Sequence, residues 1–169
     1  MGAMGAEGAM GAKVRWVRRC VECGAMDAAE LAACGLPRMR HMGAKSHDEL
    51  NCWQLSVEFR DRVNALLATG PFRRRFKYCE QLADAAESVP SNIAEGFYRF
   101  THAEFARYLR ISLGSLGEAQ TRLGSARAQD LIGADEYESL KRLGIRTRTA
   151  IVRLIKYLRS TETPGWSGH

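Results

Sequence analysis

Residues 101–126 read THAEFARYLRISLGSLGEAQTRLGSA. Within them Phe105, Leu109, Leu113, Leu116, Gln120 and Leu123 recur three or four apart, the period of one helical face. Thr101 and Glu104 form a capping-box pattern, in which each side chain can satisfy a backbone donor that the helix leaves open. Gly133 breaks this helix. The same rhythm continues on both sides. Upstream, Phe72, Phe76, Cys79, Ala83, Ala86, Ile93 and Phe97 mark one segment. Before it, from Ser46, Cys52, Leu55, Phe59, Val63 and Leu66 mark another, widened by Trp53 and Val57. Gly70-Pro71 supplies a stop and a first-turn restart between the two, with Phe72 and Phe76 anchoring the turn inward. Downstream, Tyr137, Leu140, Gly144, Ile151, Ile155 and Leu158 form the fourth stripe, with Arg148 in an interior slot. No stretch alternates strictly, which leaves no place for a sheet. Four segments of about 22–29 residues, each roughly 35–45 Å long, are joined by a few residues each. Short connections force antiparallel neighbours, so the reading is all-α: an antiparallel up-down-up-down four-helix bundle over 46–160.

The rest of the 169-residue chain is of another kind. Residues 1–45 open with MGA-MGA-EGA-MGA, which offers almost no side chain to bury, so a disordered extension is expected. A short helix fits Met26 to Cys34, and Met42 is a candidate translation start. Residues 161–169 read as a flexible tail. Composition is globular, with 46% hydrophobic and 26% charged residues. Apolar runs are short and interrupted, and no apolar leader follows a basic start, so neither a membrane span nor export is expected. Five cysteines without an export signal point to a reducing cytoplasm.

Two local features refine the bundle. Pro90 interrupts the hydrogen-bond ladder at Ala86 and should kink its helix. Gly114, Ser115, Gly117, Ala119, Gly124, Ser125 and Ala126 crowd one helix, at about 1 kcal/mol per interior glycine. Something is expected to pack close to that backbone, either a bundle neighbour or another subunit.

The stretch from Gln81 to Phe97, QLADAAESVPSNIAEGF, is long and specific. Three further pieces accompany it: Trp53-Gln54, Phe105 with Tyr108-Leu109, and Gly114-Ser115-Leu116-Gly117-Glu118. Together they resemble the four-helix-bundle proteins associated with 23S ribosomal RNA intervening sequences. That family includes the accessory variability determinant of diversity-generating retroelements. The likeness covers Cys52 to about Leu158. It implies a homopentamer around a central channel, no established catalysis, RNA or DNA binding through basic surfaces and, in retroelement members, a reverse-transcriptase partner. It also makes Ser88, Pro90, Asn92, Glu95, Gly96, Gly114, Ser115 and Glu118 the motif and interface residues. Asp84 and Leu113 depart from the pattern, standing where members commonly carry Arg. Arg73-Arg74-Arg75 is more basic than is usual there.

The net charge of +6 suits an anionic partner. Arg73, Arg74, Arg75 and Lys77 cluster before the second helix, and Arg99, Arg107 and Arg110 surround the next turn. Arg146, Arg148, Arg153, Lys156 and Arg159 recur along the fourth helix. Guanidinium groups pair bidentately with phosphates and release counterions, giving salt-dependent affinity. From Ser46 onward, however, 18 Lys and Arg face 15 Asp and Glu, so a solvated charged face competes with that reading. Asn92, Glu95 and Arg99 share a helix face. They form either a polar contact patch or an ordinary ion pair beside an Asn that bonds backbone freed by Pro90. Tyr98, Phe100, Tyr108 and Ile111 fall off the core stripes, as an assembling protein would require. Cys20, Cys23, Cys34 and His41 could surround a zinc ion, but the spacing is no standard finger, and plain thiols with no metal or cofactor are expected. There is no phosphate loop, nucleophile elbow, H-E-x-x-H pair or Glu-x-x-His pair, so no enzyme is expected. The reading is a homo-oligomeric nucleic-acid-binding bundle; the alternative is a protein-binding adaptor.

Overall fold

The computed structural model describes residues 44–72, 74–99 and 101–161. The head expected to be disordered, its Met26–Cys34 helix and cysteine cluster, Arg73, Phe100 and the tail from 162 onward lie outside the described residues.

Four helices carry the fold: α1 (Asn51–Leu67), α2 (Phe76–Phe97), α3 (His102–Ala128) and α4 (Ala134–Ser160). They pack in a closed square, α1 on α2, α2 on α3, α3 on α4 and α4 back on α1. Short connections make each neighbour antiparallel, and among the described residues there is no strand. This is the expected up-down-up-down bundle. Its centre is dry. Phe59, Val63, Phe72, Leu82, Val89, Ile93, Phe105, Leu109, Leu116, Leu123, Leu140 and Ile151 are fully buried.

Helix ends follow local chemistry. Thr101 caps α3 by accepting the Glu104 N–H at 3.2 Å, while its hydroxyl donates to the Glu104 carboxylate at 3.1 Å. Glu104 therefore returns to the cap side chain, where a full capping box would reach the backbone. α3 ends before Gly133: Asp130 turns the chain at φ 53°, a conformation that Asp tolerates, and Arg127 holds its carboxylate at 2.9 Å. Gly133 caps the start of α4 instead. That helix has Asp135 and Glu136 in its first turn and Arg159 in its last, the order its dipole favours.

The structure corrects three expectations. α1 has 17 residues, because His47–Glu49 forms a separate 3-10 turn and Leu50 is extended. α2 does not restart at Pro71. Gly70–Phe72 is a 3-10 turn, Arg75 precedes the helix at φ −120° and ψ 51°, and α2 begins at Phe76. That break resets the helical phase: Phe72 is buried, and Phe76 is 82% exposed. In α4 the interior slot belongs to Thr147, whose hydroxyl donates to the Leu143 carbonyl at 2.9 Å. Arg148 is exposed. Pro90 lies buried inside α2, which runs through it as one helix.

Candidate nucleic-acid interface

The basic residues named from the sequence fall into three separate groups. Arg74, Arg75 and Lys77 lie at the end where α1 joins α2. All three are exposed, and Arg75 donates to the Gln129 side-chain oxygen in the α3–α4 connection. Arg99, Arg107 and Arg110 lie at the opposite end of α2, about 33 Å away at 1.5 Å per residue. There Arg110 and Arg159 line one cleft with His102, whose Nδ1 lies 3.2 Å from the Thr161 hydroxyl. Arg146, Arg153 and Lys156 form the third group, on α4.

Arg99 is committed to its own bundle. Its guanidinium donates to Glu95 and, at 2.6 Å, to the Tyr108 hydroxyl, and it sits 4.8 Å from the Tyr108 ring centroid. The Tyr108 hydroxyl in turn donates to Glu95 at 2.8 Å. Tyr108 and then Arg99 hold the Glu95 carboxyl below its ordinary value, and Glu95 holds the Arg99 guanidinium above its own. This triangle pins α3 to α2.

Gly96 lies beside it, where an added Cβ would stand 2.6 Å from Tyr108 Cβ and 2.8 Å from Phe105 Cδ2. Asn92 donates to the Ser88 carbonyl at 2.6 Å, and Ser88 to that of Asp84 at 2.7 Å. The Asn92 amide thus bonds Ser88, not the Ala86 carbonyl that Pro90 leaves open. Through Gly96, and through Val89, whose carbonyl accepts from the Ser112 hydroxyl at 2.9 Å, the SVPSNIAEG stretch is a helix-crossing motif, while the Asn92 amide bonds within α2.

The small residues of α3 divide: Ala119 and Ala126 are buried in the bundle, and a Cβ added at Gly124 would stand 3.7 Å from the Tyr137 hydroxyl. A Cβ added at Gly114 or Gly117 would meet nothing within 4 Å. Ser115 donates to the Ile111 carbonyl at 3.4 Å, Thr121 to that of Gly117 at 2.9 Å and Ser125 to that of Thr121 at 3.2 Å, while Glu118 pairs with Arg122 at 2.8 Å. The outward face of α3 is therefore low and internally satisfied.

Sequence reading missed a separation of charge between helices. From Ser139 to Ser160, α4 carries seven cations and no carboxylate. Arg142, Arg146, Arg153 and Lys156 lie at offsets that share one face, opposite the buried stripe of Leu140, Leu143, Thr147, Leu154 and Leu158. The face spans about 21 Å. Arg142, Arg146 and Lys156 are exposed and make no ion pair with a described carboxylate. α2 is the reverse: between Lys77 and Arg99 it carries Glu80, Asp84, Glu87 and Glu95 and no cation. All four are exposed; Glu87 pairs with Arg60 at 3.4 Å and Glu95 with Arg99, while Glu80 and Asp84 make no ion pair with a described cation. α2 and α4 occupy opposite corners of the square, so one flank is acidic and the other basic. The signal was present in the sequence as helix-length windows of one sign.

An all-α bundle with segregated charge is the class these observations define. The family model for the 23S rRNA-intervening sequence protein matches residues 48–156, and the chain belongs to that family. A solved structure from Bacteroides thetaiotaomicron, a protein of unknown function from the S23 ribosomal protein family, is similar at 22% identity. The match covers 62% of this chain and 98% of that one, with a TM-score of 0.57, a likeness of fold. No curated protein matches the chain. No helix among the described residues is long and apolar enough to cross a membrane.

Proposed function

We propose that the protein is a non-enzymatic, homo-oligomeric nucleic-acid-binding bundle that meets phosphate backbones with the outward face of α4. The observation that carries this reading is the run of seven cations without a carboxylate between Ser139 and Ser160. Four of them lie along one face, where guanidinium forks can bind successive phosphates and displace their counterions. Family membership supports a role beside ribosomal RNA. Assembly draws support from exposed Tyr98, Ile111 and Ile145, at 64%, 43% and 51%, and from the open space over Gly114 and Gly117; a pentamer is the form the resemblance implies. The acidic flank of α2 favours a second reading, docking of a basic protein such as a reverse transcriptase in a retroelement. Binding of labelled RNA and DNA at two salt concentrations tests the first. Changing Arg142, Arg146, Arg153 and Lys156 to Gln should weaken binding to all sequences alike and flatten its salt dependence. If wild-type protein binds neither nucleic acid at low salt, the adaptor reading replaces it.

A further inference from the structure

Phe76 is the most exposed large apolar side chain among the described residues, at 82%. The aromatic rings around it in sequence are absorbed by the bundle. Phe72 is fully buried, and Tyr78 stacks on it at 6.3 Å and donates its hydroxyl to the Arg122 carbonyl. Phe76 is turned outward by the phase change at Arg75, yet it stands on the first residue of a 22-residue helix, so its backbone is held. Cations flank it: Arg74 and Arg75 before, Lys77 after, all exposed, with Arg75 steadied by Gln129. The first carboxylate along α2 is Glu80, one turn further on.

An open ring whose neighbours in sequence are three exposed cations is a poor seat for an apolar protein segment, because docking it would desolvate charge without pairing it. It suits a ligand that offers a flat π-face with a phosphate on either side. We propose that Arg74, Phe76 and Lys77 form a stacking site for an unpaired nucleobase of single-stranded RNA or DNA. The base lies on the Phe76 ring, and the flanking phosphates meet Arg74 and Lys77. A duplex cannot use the ring, since its bases are already stacked on one another. This site rests on the nucleic-acid reading above and adds the ligand class: loops, ends and unwound segments, whose unpaired base is held at the α1–α2 end of the bundle, apart from the backbone contacts along α4.

The test compares wild-type protein, Phe76→Ala, Phe76→Trp and the pair Arg74→Gln with Lys77→Gln. The probes are one mixed sequence as single-stranded RNA, single-stranded DNA and duplex. Phe76→Ala should lose about tenfold in affinity for both single strands and leave the duplex unaffected, with an unchanged salt slope. Phe76→Trp should keep single-strand affinity, and its added indole emission should be quenched by single strands alone. The double variant should lower the salt slope for single strands. Wild-type binding with no loss in Phe76→Ala, or with equal loss on duplex, overturns this site and leaves the wider reading standing. No wild-type binding to any probe overturns both. A changed mass of Phe76→Ala in light scattering assigns the ring to a contact between copies and also overturns the site.

Discussion

The Tyr108 hydroxyl stands between Glu95 and Arg99, donating to one and accepting from the other. Its effect on stability is therefore tied to pH. Glu95 titrates below its ordinary 4.5 in the folded protein, chiefly because of the Tyr108 hydrogen bond and then Arg99. A carboxyl depressed on folding adds stability above its unfolded value, and that stability is lost as pH falls through the folded one. Asp48, lowered by its hydrogen bond from Ser46, acts in the same direction. Tyr108→Phe should lower the thermal midpoint at neutral pH, and the gap to wild type should narrow as pH drops below about 4.5. A gap that stays constant with pH would show that the hydroxyl acts independently of the Glu95 charge, and the absence of a gap that Tyr108 acts by packing alone. By contrast, the buried Cys52 thiol is pushed up to about 12 by desolvation, which makes it inert to thiol reagents in the native fold.

At the scale of the helix, α3 asks why Gly114 and Gly117 persist where nothing in the bundle crowds them. Each glycine costs about 1 kcal/mol relative to alanine in a helix interior. Gly114→Ala with Gly117→Ala should therefore raise stability by up to about 2 kcal/mol in dilute protein, read from denaturant midpoints. The proposed assembly adds a second outcome: if copies close over this face, the same two methyl groups should weaken association in light scattering. Higher stability with unchanged mass would place the contact on another face. Helices were the legible part of this protein. Phe59, Ile93, Leu109, Leu116, Leu123 and Ile151 repeat at the helical period and are buried. What escaped was phase. Phe72 and Phe76 lie four apart, the spacing of one face, but the turn between them is not helical, and one ring went in while the other went out. In α4, which is continuous, Thr147 fills the slot into which Arg148 was read, one residue being about 100° of rotation. Site residues were legible as charges and not as groups, because the bundle's length separates Lys77 from Arg99 and Glu95 neutralises Arg99.

Taken as one body, the bundle is polarised across its diagonal, acidic along α2 and basic along α4. Asp84, standing where family members commonly carry Arg by resemblance, is in the middle of the acidic flank. Glu80 and Asp84 repel phosphates approaching from that side without touching those bound on the other. Glu80→Gln with Asp84→Asn should raise non-specific affinity for duplex at low salt and leave the salt slope as it was, since no phosphate contact is added. Unchanged affinity at low salt would show that the flank is screened from bound nucleic acid. The polarity also limits what many copies can build. Bundles seated on a duplex by α4 would turn their acidic flanks outward, and the coated duplex would again present a negative exterior. A second layer of bundles could then seat its own α4 only on carboxylates spaced along a helix, a different register from phosphates along a backbone. The coat would stop at a single thickness.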